Sequence, residues 1–116
     1  MGTYRQERIA EMLTEELSLI IGFEMDDPRL EGVMVHAVKV SPDLRHARVY
    51  VSHPGEPVED HMILEALQHA VGYLRRELAQ RIVLKYVPEL HFSIDRTEER
   101  AQRIEEILDH LKPTEE

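Results

Sequence analysis

Apolar residues recur along this chain with two different periods, and these periods predict its secondary structure. Between residues 4 and 21 the spacing alternates between three and four, as on one stripe of a helix, and the stripe consists of Ile9, Met12, Leu13, Leu17, Ile20 and Ile21. The acidic positions on the opposite side are Glu7, Glu11 and Glu15. Glycine is common just past the end of a helix, so Gly22 is the predicted C-cap of an amphipathic first helix.

Two segments with alternating apolar residues follow, and they predict a β-hairpin. In the first, residues 33–40, the apolar phase changes from odd to even positions, which predicts a β-bulge near His36 and Ala37. A turn at residues 41–44 leads to the second strand, residues 45–52. The inward side chains of that strand are predicted to be Ala47, Val49 and Val51, and the outward ones His46, Arg48 and Tyr50. The hairpin should therefore have one apolar face and one wet face.

The segment from residue 58 to residue 95 is predicted to form two helices and a third strand. In the second helix, residues 58–70, the inward side chains should be Ile63, Leu64, Leu67 and Val71. Gly72 is predicted to interrupt the helical pattern, because glycine costs about 1 kcal/mol relative to alanine inside a helix. A third helix is then predicted from apolar residues four apart, which are Leu74, Leu78 and Ile82. The inward face of the third strand should consist of Leu90, Phe92 and Ile94.

The predicted order of elements is α–β–β–α–turn–α–β–α, in which Thr97 caps a last helix and Pro113 stops it. This order predicts an α+β fold with a three-stranded sheet and helices packed on one of its faces. The last strand follows a helical crossover, so parallel pairing with a hairpin strand is one of its options. Residues 1–112 are predicted to form a single domain and residues 113–116 a short acidic tail.

Composition and charge narrow the classes of function. The formal net charge of −9 argues against general affinity for nucleic acid. Two segments are positive, however: residues 32–54 hold three basic and one acidic residue, and residues 71–92 hold four basic and two acidic residues. If they adjoin in space, an acidic protein would present one basic face; the alternative is scattered, solvated charge. The chain has no cysteine, no signal peptide at its charged N-terminus and no membrane-spanning apolar run, so a cytoplasmic location is expected.

A search for catalytic and metal-binding motifs gives no candidate. The phosphate loops G-x-x-x-x-G-K and G-x-G-x-x-G and the nucleophile motif G-x-S-x-G are absent. The seven histidines contain no H-E-x-x-H; His61 lies four residues from Glu65 and two turns from His69 on a helix, and the remaining histidines are placed on separate strands. Solvated histidines on amphipathic elements are therefore the favoured interpretation. The adjacent Asp26 and Asp27 precede a proline, which favours a structural turn over a metal site. We therefore expect no catalytic residues, no metal and no cofactor.

Four segments, in this order and at these separations, resemble the ribosome-binding factor A family. They are Asp27-Pro28-Arg29-Leu30, Val40-Ser41-x-Asp43-Leu44-x-x-Ala47-x-Val49-Tyr50-Val51-Ser52, Ala70-x-Gly72-x-Leu74-Arg75 and Val87-Pro88-x-Leu90-x-Phe92-x-x-Asp95. The resemblance implies a type II KH-like fold whose interhelical turn is Ala70-Val71-Gly72, in place of the usual G-x-x-G loop, which this chain lacks. It also implies non-catalytic binding to the small ribosomal subunit and its ribosomal RNA, near the 5′ terminal helix and neck. That binding would serve late maturation, rRNA processing and cold adaptation.

The residues expected to contact RNA are basic, because arginine and lysine bind phosphate. The first choices are Arg75, Arg76, Arg81 and Lys85, the second choices are Arg45 and Arg48, and Arg5 and Arg8 would join if the first helix packs beside them. The alternative for each is an exposed side chain or an ion pair, such as Glu77 with Arg81 four residues apart. The expected protein is a monomer that binds neither a membrane nor a small-molecule substrate.

Two other functions stay open from the residues alone. One is a KH-like protein-interaction module that uses an acidic helical face in residues 55–70 and makes no direct RNA contact. The other is a small enzyme that uses His91 or the pair Asp26 and Asp27, which would need a concave site with perturbed carboxylates.

Overall fold

The first helix begins with a reciprocal cap that the sequence encodes locally. The structure is a computed structural model that describes residues 3–96, and helix α1 covers Tyr4–Leu19. The Thr3 hydroxyl accepts a hydrogen bond from the Gln6 backbone N–H at 3.1 Å, and the Thr3 N–H donates to Gln6 Oε1 at 2.9 Å. The buried Gln6 side chain also donates to the Val40 carbonyl at 2.9 Å, which ties the start of α1 to the end of the first strand.

The end of the first helix differs from the prediction. The chain continues from α1 into a π-helical turn, Ile20–Glu24, and becomes extended at Met25, so the expected C-cap at Gly22 is wrong. Ile20 and Ile21 are both buried, and the wider turn keeps both in the core. The apolar stripe therefore extends beyond the end of the α-helix, and Gly22 lies inside the π-helical turn.

The sheet has the strand order β1-β2-β3, where β1 is Met34–Val40, β2 is His46–Ser52 and β3 is Glu89–Ile94. Strands β1 and β2 are antiparallel, and the register shifts between Val35 and Ala37, which confirms the predicted bulge. Strand β3 pairs with β2 in parallel, so the option left open by the sequence is the one that the fold uses.

Two further helices join the hairpin to β3. Helix α2 covers Asp60–His69, helix α3 covers Val71–Arg81, and the joint between them is Ala70. The predicted break at Gly72 is therefore wrong by two positions. The Ala70 backbone has φ −89° and ψ −4°, which are angles that any residue type can adopt, so the turn needs no glycine. Gly72 lies in the first turn of α3.

The core lies between the helices and one face of the sheet. Helix α1 packs on β1, helix α2 packs on β3, and α3 contacts both helices as well as β3. The inward residues predicted for β2 are buried, as are Leu74, Leu78 and Ile82 after the interhelical joint. In α2 the buried side chains are Ile63, Ala66 and Leu67, whereas Leu64 and, at the start of α3, Val71 are only half-buried. The predicted α+β class, with helices on one face of a three-stranded sheet, is confirmed.

Two predictions concern residues that the structure does not describe. The last helix, expected from Thr97 onward, and the acidic tail at residues 113–116 both lie beyond the described range, residues 3–96. Within that range, no helix combines the length and the apolar character needed to cross a membrane.

Candidate nucleic-acid interface

Among residues 3–96, the face of the sheet opposite the three helices has two cations. Arg48 points away from the core, because its neighbours Ala47 and Val49 are fully buried. Lys39 is the register partner of Arg48 on β1, and its Nζ lies 5.7 Å from the centre of the Tyr50 ring, within reach of a cation–π contact. We call this surface, with Lys39, Arg48 and Tyr50, the open sheet face.

The cations of α3 lie on the other side of the sheet, in the helical layer. Arg75 and Arg76 are exposed on a helix whose Leu74 and Leu78 face the core. Arg48 from the first positive segment and the arginines of α3 from the second therefore do not form one basic face, because the sheet separates them.

Arg81 is neutralised by acids. Its guanidinium donates to Glu24 Oε2 at 2.8 Å and to Glu77 Oε1 at 3.0 Å, and it lies 3.5 Å from Glu16 Oε2. The hydrogen bond from Arg81 holds the pKa of the Glu24 carboxyl below its usual value, and Glu24 in turn raises the pKa of Arg81. The predicted i, i+4 pair with Glu77 is confirmed. A guanidinium already bound to carboxylates is a weak candidate for a phosphate ligand.

Several other predicted cations gather around the connection from α3 to β3. Arg5 and Lys85 line one hollow together with Leu44, Tyr86, Pro88 and one acid, Asp43. Arg45 follows Leu44 directly, and its carbonyl accepts a hydrogen bond from the Glu89 N–H at 2.8 Å. Arg75 approaches from α3, and its Nη2 donates to the Val87 carbonyl at 2.7 Å. We call the surface formed by Arg5, Arg45, Arg75, Lys85 and Tyr86 the linker surface.

The turn that presents Arg45 is held by a short polar network. The Ser41 hydroxyl donates to Asp43 Oδ1 at 2.6 Å and accepts from the His46 N–H at 3.0 Å, while Asp43 Oδ1 also accepts from the Arg45 N–H at 3.1 Å. The Ser41 hydroxyl and the Arg45 N–H hold the pKa of the Asp43 carboxyl below its usual value. Leu44 adopts the left-handed region at φ 64°, so this network holds a backbone conformation that leucine rarely adopts.

The remaining predicted residue, Arg8, is separate from the linker surface. It lines a different hollow, between α1 and β1, with Glu11, Glu15 and His36. The expectation that Arg5 and Arg8 would join the other cations therefore has structural support for Arg5 only. Which of the eight predicted cations contact RNA stays a prediction.

Sequence reasoning missed one side-chain cluster and interpreted another correctly. His46 and His91, expected to be apart on separate strands, lie together because β2 and β3 pair in parallel, and His46 Nδ1 is 3.1 Å from His91 Nε2. No local spacing in the sequence signals this contact. Asp27 is structural, as expected: it accepts a hydrogen bond from the Arg29 N–H at 3.0 Å and pairs with the Arg29 guanidinium at 2.9 Å. These contacts lower the pKa of the Asp27 carboxyl.

A helix, an antiparallel hairpin, two helices meeting at a tight joint and a third strand parallel to the second define a KH-like domain of type II. The family model for Ribosome-binding factor A matches residues 5–108 of the chain. The chain therefore belongs to the ribosome-binding factor A family, and the resemblance found in the sequence is confirmed.

Curated relatives and solved structures agree with the family model. The ribosome-binding factor A of Thermomicrobium roseum is 46% identical over 112 residues, which cover 97% of this chain and 87% of the relative. That of Solibacter usitatus is 45% identical over 114 residues, or 98% of this chain and 93% of the relative. Both relatives carry the name of a binding factor, in agreement with the prediction of a non-catalytic protein.

Two structures of the same family are similar in fold. The crystal structure of ribosome-binding factor A from Thermus thermophilus has a TM-score of 0.72 and 31% identity, and covers 81% of this chain and 100% of that one. A homology model of the Thermus thermophilus factor, fitted into the cryo-EM map of a 30S complex, has a TM-score of 0.61 and 29% identity, over 82% of this chain and 96% of that one.

Proposed function

We propose that this chain binds the small ribosomal subunit during its late maturation, contacting ribosomal RNA near the 5′ terminal helix and neck, and so assists rRNA processing. The observation that supports this most is membership of a family with a relative fitted into a 30S map. In this proposal the protein acts as a cytoplasmic monomer by binding alone. Cells that lack it should mature their small subunits slowly, most of all in the cold.

The linker surface is the part of the chain that we propose meets RNA. It combines cations that can bind phosphate with Tyr86, a residue that is 64% exposed and whose ring can stack on a base. The Lys85 Nζ lies 5.6 Å from the centre of the Tyr86 ring, so the charge and the aromatic plane are presented together. Because the net charge is −9, such contact must be local and not a general attraction to phosphate.

The alternative of a protein-interaction module that uses an acidic helical face has weaker support. Two acids of residues 55–70 are engaged within the chain. Asp60 accepts from His53 and Arg96, and Glu59 Oε2 accepts from the Glu56 N–H at 2.7 Å. These carboxylates are therefore less available to a basic partner.

Cosedimentation with matched double variants tests the proposed surface. The chain is mixed with purified small subunits or intact ribosomes at low salt, and pelleting is compared for wild type, Arg45→Gln/Lys85→Gln and Lys39→Gln/Arg48→Gln. Both variants remove two positive charges, one pair from the linker surface and the other from the open sheet face. We expect wild type to pellet with free small subunits, the linker variant to lose most of this binding and the open-face variant to keep it.

The two halves of the proposal fail separately in this experiment. Equal binding by the linker variant and wild type would reject the linker surface while leaving subunit binding intact. Absence of wild-type binding to small subunits would reject the proposed function. Footprinting of small-subunit RNA then tests the location, and protection outside the 5′ terminal helix and neck would contradict it.

A further inference from the structure

Three metal-ligating side chains meet on the open sheet face at the start of β2 and β3. His46 and Glu89 are register partners, and His91 lies two residues further along β3, so all three side chains point to the same face. His46 Nδ1 lies 3.1 Å from His91 Nε2 and 3.7 Å from Glu89 Oε2, and one ligand atom from each residue lies within 4.8 Å of the others. In residues 3–96 this is the one group of three or more such side chains with that proximity.

We propose that His46, Glu89 and His91 form a binding site for a divalent transition-metal ion, with zinc as the ion that fits best. Two ligands bound to zinc at about 2.0–2.1 Å in a tetrahedral arrangement are about 3.3–3.4 Å apart. The distance between the histidine nitrogens is close to that value, and small rotations of exposed side chains would bring the carboxylate oxygen to it. The site therefore requires no movement of the backbone.

The chemistry of the three ligands favours zinc over magnesium or calcium. Two imidazoles and one carboxylate form a donor set common for zinc with an open coordination position, whereas magnesium and calcium prefer oxygen ligands alone. Within the structure the two imidazoles contact each other through nitrogen atoms, which requires one ring to donate an N–H hydrogen bond to the other. When a metal ion binds, the donor ring would carry that proton on its other nitrogen, so that both facing nitrogens could bind the ion as neutral imidazoles.

Within the described residues, two positive charges lie near the site. Arg48 is the register partner of His91 on the same face, and Lys39 lines the same hollow as His46 and His91. Both charges disfavour a nearby cation. The Glu89 carboxylate supplies the compensating negative charge in the site itself. A bound ion would link β2 to β3, which are joined in the chain only through α2 and α3, and its remaining coordination positions would face solvent.

Zinc titration with matched single variants tests the site. The chain, without a polyhistidine tag and stripped with a chelator, is titrated with zinc chloride in a calorimeter at neutral pH. His91→Asn and His46→Asn each remove one ligand from an exposed surface. His61→Asn is the control, because within residues 3–96 the ion-pair partner of His61 is Glu65, at 3.8 Å between Nε2 and Oε2, and the His61 side chain is 92% exposed.

We expect one zinc ion per wild-type chain and an affinity weaker by more than about tenfold in His91→Asn and His46→Asn, since each loses one of three ligands. Zinc should also raise the unfolding temperature of wild type and of His61→Asn, but not of His91→Asn. The proposal would be overturned if wild type bound zinc no more tightly than the two ligand variants, or if His61→Asn weakened binding to the same extent.

Discussion

Arg81 was predicted to bind RNA, but its contacts give it a structural role. Arg81 lies on α3 and contacts Glu16 within α1 and Glu24 just after α1. Its ion pairs therefore connect α3 to α1. The adjacent cations Arg75 and Arg76 have no ion pair within residues 3–96. Identical residue types on one helix therefore have different roles.

Replacing Arg81 by methionine should destabilise the fold at neutral pH, because three carboxylates would then face one another without a counter-charge. The pKa of Glu24 is lowered in the folded state from its usual 4.5, so this stabilisation is present above pH 4.5 and lost as pH falls through the lower folded value. Thermal unfolding across pH measures it. The deficit of the variant should shrink below pH 4.5 and in high salt.

The control for this prediction is Arg76→Met on the same helix, which should unfold close to wild type at every pH. A deficit in Arg81→Met that stayed constant down to pH 3 would contradict the ion-pair explanation, since about pH 3 lies more than one unit below the reference pKa of glutamate.

Asp60 is the centre of a second ion-pair network. Its carboxylate accepts a hydrogen bond from a buried histidine side chain. The His53 side chain is 3% exposed; its Nδ1 accepts from the Gly55 N–H at 3.1 Å, so its proton lies on Nε2, which donates to Asp60 Oδ1 at 2.7 Å. The Asp60→Ala variant should lose about 1–3 kcal/mol of unfolding free energy, because the buried imidazole loses its acceptor. Denaturant titration measures it, and Glu65→Ala on the same helix is the control.

The contribution of Asp60 to the stability of the fold should depend on pH in the same direction as that of Glu24. The hydrogen bonds from Arg96 and then His53 lower the pKa of the Asp60 carboxyl from 3.8, so the stabilisation should be present above pH 3.8 and disappear at more acidic pH. An equal loss of stability in Glu65→Ala would show that the helix surface, and not the network, is responsible.

At the scale of elements, the helix–turn–helix does not depend on its glycine. Gly72 lies inside the first turn of α3, and an added Cβ would meet only Arg76 Nη1 at 3.6 Å. Gly72→Ala should therefore raise the unfolding free energy by about 0.5–1 kcal/mol, through better helix propensity and a less flexible unfolded chain. Denaturant titration measures the change, and a loss of stability would contradict this placement of the joint.

Gly32→Ala is the matched opposite case. Gly32 has φ +80°, and an added Cβ would lie 2.9 Å from the Pro54 Cγ. The same substitution should there destabilise the fold by about 1–2 kcal/mol or more, because the left-handed conformation and the close contact both oppose a side chain.

At the scale of the whole molecule, the negative net charge should make RNA binding weak, and the local cations of the linker surface should make it selective. If four cations of the linker surface contact phosphate, the logarithm of the binding constant should fall against the logarithm of salt concentration with a slope of about −3 to −4. Filter binding of small subunits at several salt concentrations measures the slope. Arg45→Gln/Lys85→Gln should reduce its magnitude by about half, and an unchanged slope would contradict the proposed contacts.

The sequence determined the elements and their buried faces. Periods of two and of three to four selected the inward side of β2 and the stripe of Leu74, Leu78 and Ile82 correctly, because both depend on the geometry of a single element. The phase change in β1 located the bulge for the same reason. The pair of Glu77 and Arg81 was likewise predictable, since residues four apart on a helix are neighbours.

Only the tertiary structure decided what lies together across elements. Arg81 meets Glu24, 57 residues away, and His46 meets His91, 45 residues away. The position of the interhelical joint at Ala70 was also decided by packing, because Leu67 and Leu74 must both reach the core on either side of it. Local spacing cannot specify such contacts: they depend on how helices dock on the sheet and on the parallel pairing of β2 with β3, which bring distant parts of the chain into the same surface.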